Sequence, residues 1–240
     1  MSTAQPSSQT VDILPGVKGY LSRPAQRAPG VLVIMEAFGL NAWVRSVCDQ
    51  FAGQGYAALA PDVFHGDIFD YSDRERAIAK IGMLDDATVM TEIDKSIDVL
   101  TANAAMPGKV AIVGFCMGGR LAFLANAVHG NRLAASVSFY GGGIAPAQPS
   151  ARRKPLLDRV PDLVAPQLLL YGAKDASIAA DEHGRLANAL TAANKRYTIA
   201  VYPDAPHAFA TADRESYREG VARRAWQTAY AFIAEGFAAA

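Results

Sequence analysis

The chain has 240 residues, of which 51% are hydrophobic, and its 23 basic and 23 acidic side chains cancel to a formal net charge of zero. That length suits one α/β domain, which buries roughly 70–75% of its unfolded surface without disulfide or metal staples, and the balanced charge gives no electrostatic ground for nucleic acid or an anionic membrane as partner. Two cysteines are too few for a disulfide framework, no apolar run approaches a membrane span, and MSTAQPSSQT lacks the basic start and apolar stretch of a signal peptide, so the expectation is a cytoplasmic protein.

Residues 1–10 read as a loose tail and residues 11–240 as a single domain, with neither an internal repeat nor a low-complexity linker. Six short runs read as strands: GVLVIM (30–35), YAALA (56–60), KVAIVG (109–114), LAASVSFY (133–140), QLLLYG (167–172) and RYTIAVYP (196–203). They are apolar on both faces, as strands of a covered parallel sheet are. Helical spacing appears between them, at Val44, Val47, Cys48 and Phe51, then at Ile93, Ile97, Leu100 and Ala104. Leu186, Leu190 and Ala193 mark a further helix, and Val221, Ala225, Ala229 and Phe232 the last. The Pro-rich stretch 141–166 reads as a loop excursion with at most a short helix. Alternating strands and helices predict a doubly wound, mostly parallel sheet, with ligand chemistry at the carboxyl ends of its strands.

One junction carries the chemistry. KVAIVG runs through Gly114-Phe115-Cys116-Met117-Gly118 into the helical pattern GRLAFLANAV. Strand, turn and helix in that order are the setting of a nucleophile elbow, G-x-S-x-G, with cysteine at its centre. Flanking glycines let the middle residue take a strained conformation, and the helix start behind it favours a thiolate. Two other readings stand beside this one. A dinucleotide loop needs G-x-G-x-x-G, which this is not, and a buried structural thiol packs as a small hydrophobe.

A nucleophile needs a base and an orienting acid, and in this fold the chain order is nucleophile, acid, histidine. His65 precedes Cys116, His129 ends the elbow helix and His183 lies in the first turn of a helix, which leaves His207 on the loop after RYTIAVYP as the base. Asp175 follows LLLYG at a strand end and is the expected orienting acid, with Asp204 as its rival. The loop after the first strong strand and the residue after the nucleophile supply oxyanion donors in this fold, which assigns the backbone N–H groups of Ala37 and Met117. Glu36 puts a carboxylate at the end of an apolar run, where an unpartnered charge is expensive.

The blocks IMEAFGLNAWVR, PDVF, GFCMGG, YGAKD and PHAFA, in this order, resemble the dienelactone hydrolase family of α/β-hydrolases over residues 12 to 234. The resemblance implies a Cys116-His207-Asp175 triad, with Glu36 as the glutamate that holds the thiol before substrate arrives. It also implies no cofactor, no metal, and a monomer or weak homo-oligomer acting on a small ester or lactone. The family pattern H-x-F-A-R ends in an arginine that clamps a substrate carboxylate, whereas this chain has Thr211 there. Arg74 or Arg76 in SDRERA corresponds to a second family arginine, or is an exposed helix residue, and Arg214 stands three residues beyond the missing clamp. Phe38 and Tyr140 are further pocket candidates by their position near strand ends.

Sulfur narrows the chemistry. A thiol ionises near pH 8.5 and its thiolate also leaves easily, so a tetrahedral intermediate collapses forward only when the substrate's own leaving group is comparably stable. Enol lactones, aryl esters and thioesters fit. The expectation is therefore an enol-lactone or activated-ester hydrolase, with a general carboxylesterase or thioesterase as the alternative and a catalytically silent binding protein as a third.

Overall fold

A computed structural model describes residues 6–104, 106, 108–148 and 154–240. Eight strands form one sheet: β1 (Ser7–Leu14), β2 (Val17–Arg23), β3 (Gly30–Ile34), β4 (Ala57–Pro61), β5 (Val110–Phe115), β6 (Leu133–Phe139), β7 (Gln167–Gly172) and β8 (Tyr197–Tyr202). Their order is β1-β2-β4-β3-β5-β6-β7-β8, antiparallel for β1 with β2 and β2 with β4, and parallel for the rest. The helices are α1 (Ala42–Gly53), α2 (Arg74–Met83), α3 (Asp86–Asn103), α4 (Met117–His129), α5 (Ala180–Ala192) and α6 (Glu219–Ala238).

Each expected strand is present, and β3 to β7 are buried along their whole length, as their unbroken Val, Ile, Leu and Ala runs require. β8 is different. It closes one edge of the sheet and is only partly covered, with Val201 exposed. The loose tail is corrected too: residues 7–10 belong to β1, paired with β2 through Ser7–Arg23 and Thr10–Tyr20, while residues 1–5 lie outside the described residues. The Leu14-Pro15-Gly16-Val17 turn closes this hairpin, with Gly16 at φ +80°, a conformation that glycine reaches without a Cβ penalty. Within the Pro-rich excursion the regular structure is a 3₁₀ turn over Leu157–Asp162, and residues 149–153 lie outside the described residues.

α1 and α6 cover one face of the sheet, where Phe51 meets Trp226 and Tyr230 at 5.8 and 5.3 Å between ring centres. α3 and α4 pack together on the other. α1 starts where Asn41 Oδ1 accepts the Val44 N–H at 3.0 Å, and α3 where Asp85 accepts that of Thr88 at 2.9 Å. α2 buries only Ala77, which packs on Ala37 and Phe38 beside the partly covered Ile81. Among the described residues no helix is long and apolar enough to cross a membrane.

Candidate active site

The carboxyl ends of β3, β5, β7 and β8 bring four predicted site residues to one rim. Cys116 sits between β5 and α4 at φ 54° and ψ −115°, outside the regions an L-residue favours. Two glycines make the turn feasible. A Cβ on Gly114 would lie 1.9 Å from the Gly118 carbonyl oxygen, and one on Gly118 would lie 2.3 Å from that of Ile34. The elbow is therefore pressed against the neighbouring strand β3 as tightly as backbone allows.

His207 follows β8 and Asp175 follows β7, and backbone bonds join the two loops, from the Ala173 N–H to the Tyr202 carbonyl (2.9 Å) and from Lys174 to Ala205 (3.0 Å). Asp175 Oδ2 lies 2.7 Å from His207 Nδ1, and its Oδ1 accepts the Ser177 N–H at 2.8 Å. With both oxygens occupied and the side chain fully buried, the carboxylate fixes the proton on Nδ1 and turns the other ring nitrogen to Cys116. Burial opposes charge on His207, yet the negative charge of a Cys116 thiolate and the hydrogen bond that Asp175 accepts from the ring outweigh it, and the imidazole is pushed up to about 10. Asp204, the rival acid, is exposed and paired with Lys174 at 2.9 Å.

Glu36 is fully buried at the end of β3. Its Oε2 lies 3.5 Å from Arg214 Nη1, and neither carboxylate oxygen has a hydrogen bond of normal geometry among the described residues. Burial raises its pKa, while Arg214, Tyr71 and His207 act the other way. The Arg214 guanidinium also lies over the rings of Phe38 (5.2 Å) and Tyr71 (5.4 Å).

A cavity of about 270 Å³ opens at Cys116. Ala37 and Met117 line it beside Cys116 and His207, Phe38, Ala77, Ile78, Ile81 and Ile178 form apolar walls, and Arg74, Arg120 and Arg214 bring positive charge. A larger hollow of about 800 Å³ between α3, the end of α4 and residues 154–159 holds none of these reactive groups. Three of the predicted substrate contacts do not reach the cavity wall. Arg76 points out to pair with Asp73 at 2.9 Å. Tyr140 and Thr211 are fully buried beneath it and bond each other at 3.2 Å, with the Tyr140 ring edge-on to His207 at 5.3 Å. Thr211 thus occupies space where an arginine would be walled in, and Arg214 reaches the cavity in its stead. The other histidines sit elsewhere: His65 meets Glu92 at 2.8 Å, His129 the Met90 carbonyl at 3.0 Å, and His183 stacks on Tyr171.

Sequence reading passed over Arg120, Tyr71 and Asn41. Arg120, nearly fully buried in α4, binds Asp86 through both Nη atoms (2.9 and 2.8 Å) and the Lys154 carbonyl at 2.9 Å, which ties the elbow helix to α3 and to the excursion. A lone arginine in the apolar run GRLAFLANAV is the signal that marks it.

A strand–elbow–helix junction at a parallel sheet's carboxyl edge, with histidine and aspartate on later strands in this order, defines an α/β-hydrolase. The model of the dienelactone hydrolase family matches residues 17–237, and the chain belongs to that family. It is 36% identical over 214 residues to a Yersinia pestis protein named "Putative carboxymethylenebutenolidase", covering 87% of this chain and 79% of that one. A Bradyrhizobium relative, "Probable 2-oxo-3-(5-oxofuran-2-ylidene)propanoate lactonase", is 31% identical over 220 residues, 89% of this chain and 87% of the other. Among solved structures, a "Putative Dienelactone Hydrolase" from Klebsiella pneumoniae superposes with a TM-score of 0.88 at 34% identity, over 95% of this chain and 98% of that one.

Proposed function

We propose that this chain hydrolyses enol lactones and other activated esters through an acyl-thioester on Cys116. The observation that carries the reading is the meeting of Cys116, at a strained elbow, and His207 in one cavity, with 2.7 Å between the imidazole and the Asp175 carboxylate behind it. In the first half-reaction the Cys116 thiolate attacks the carbonyl carbon, and the N–H groups of Ala37 and Met117 hold the oxyanion. His207 then gives its proton to the departing enolate as the C–O bond breaks. In the second, a water molecule loses a proton to His207 and attacks the thioester, and the thiolate leaves with the carboxylic acid released. Asp175 keeps the imidazole in one tautomer throughout.

The substrate follows from the leaving group and from the walls. A thiolate nucleophile discriminates against alkyl esters and amides. Arg74 and Arg214 line the cavity and suit an anionic substrate, Arg214 to the extent that Glu36 leaves its charge unbalanced, as the Bradyrhizobium relative's name would fit. The second reading, an esterase or thioesterase indifferent to charge, draws on the apolar walls and on Thr211 at the clamp position. Mass spectrometry of the protein quenched during turnover of an aryl ester tests the chemistry: the expected result is one acyl group on Cys116, and turnover with no such adduct rejects it. Comparison of a carboxylate-bearing lactone with neutral aryl and thio-esters separates the two substrate readings, since a preference of tenfold or more (about 1.4 kcal/mol) for the anion favours the first.

A further inference from the structure

Asn41 does two things with one amide. Its Oδ1 caps α1 by accepting the Val44 N–H at 3.0 Å, so the group that approaches Tyr71 Oη at 3.3 Å is Nδ2, a donor without a lone pair to offer. Tyr71 therefore accepts from Asn41, and its own O–H is left to point elsewhere. Elsewhere is Glu36, whose two oxygens are fully enclosed and lack a hydrogen bond of normal geometry. Arg214 brings the two together, with Nη1 3.5 Å from Glu36 Oε2 and its guanidinium 5.4 Å from the Tyr71 ring centre, and beside it the hydroxyl favours the charged form of the carboxylate. The ring of Tyr71 meanwhile sits edge-on to Phe38 at 4.8 Å, and both rings lie under Arg214.

We propose that Tyr71 is a positioning residue: oriented by Asn41, it turns its hydroxyl proton toward Glu36 and so steadies the carboxylate that pairs with Arg214 at the cavity wall. Glu36 is drawn two ways. Burial favours the neutral acid, and Arg214, the Tyr71 hydroxyl and His207 favour the anion. Tyr140 faces it as well, and Asp213 faces Tyr71. Removal of one donor to a charged group tips such a balance. With Glu36 neutral, the positive charge of Arg214 is uncompensated and open to an anion entering the cavity.

The proposal takes the cavity of the proposed hydrolase as its setting, and its test reads thiol alkylation rather than turnover, so a failure of either is told from the other. Iodoacetate and iodoacetamide attack the same thiol and differ by one negative charge. Their rate ratio at Cys116, followed against pH, cancels thiol reactivity and reports the cavity's charge. In the parent the ratio rises as pH falls through the Glu36 titration, and in Glu36→Gln that inflection is absent. Tyr71→Phe keeps the ring and its contacts, loses only the hydroxyl, and moves the inflection up by about one pH unit. Asn41→Asp still caps α1 but accepts the Tyr71 proton, so it shifts the inflection upward by more in the parent than in Tyr71→Phe. An inflection unmoved by Tyr71→Phe, or equal shifts from Asn41→Asp in both backgrounds, overturns the proposal.

Discussion

Cys116 and Cys48 are the same side chain in two settings. Cys48 lies in the middle of α1, fully buried among Val44, Val47 and Phe51, and burial pushes its thiol far up from the ordinary range. Cys116 stands at the mouth of a cavity, at the first turn of α4, with an imidazole beside it. Removing water from a thiol without offering a counter-charge suppresses the thiolate, whereas partial exposure next to a cation favours it. The setting of each sulfur is a property of its address, and the address of Cys116 is set by backbone: two glycines permit a turn that no helix interior allows.

The sharpest way to break the contrast is to delete each sulfur. Cys116→Ala is expected to lower kcat on an aryl acetate by about 10³-fold or more, while Cys48→Ala leaves kcat unchanged and lowers stability by about 1 kcal/mol. Steady-state kinetics and thermal melting of the two variants check this. Comparable losses of kcat would erase the distinction. Next comes the turn itself: Gly118→Ala puts a methyl group against the Ile34 and Met35 carbonyl oxygens. A loss of roughly 2–4 kcal/mol in denaturant unfolding, with activity falling faster than stability, is expected.

Asp175→Asn acts on the rate as strongly, but without touching the sulfur or the turn. The amide leaves the loop geometry in place but no longer holds the imidazole tautomer, and a fall in kcat of about 10³- to 10⁴-fold is expected, read with melting unchanged. The smallest effect concerns charge. With His207 pushed up to about 10, it carries its proton below that pH, so hydrolysis of a good leaving group declines as pH rises through about 10. Cys116→Ala removes the thiolate, and the His207 ring resonances then titrate at least about one unit lower. A ring that titrates alike in both proteins would mean that the two groups do not sense each other.

The strands of the buried sheet were readable because burial on both faces writes itself as unbroken apolar runs. The hairpin of β1 and β2 escaped, since Ser7 to Thr10 are exposed and polar at an edge, and only the Pro15-Gly16 turn marked it. α2 was poorly legible for the same reason: one buried alanine gives no stripe. In the site, the elbow and the chain order of aspartate and histidine were written in spacing. The neighbours of Glu36 were not, because Asn41, Tyr71 and Arg214 converge only in three dimensions, and a residue such as Thr211 says nothing of which arginines reach the cavity wall.

Arg120 carries one more implication. Its guanidinium joins the helix behind Cys116 to Asp86 and to the main chain at Lys154. The proline-rich connection is thereby tied at Lys154 to the helix that begins beside Cys116, so a buried guanidinium couples that helix to two separate parts of the chain.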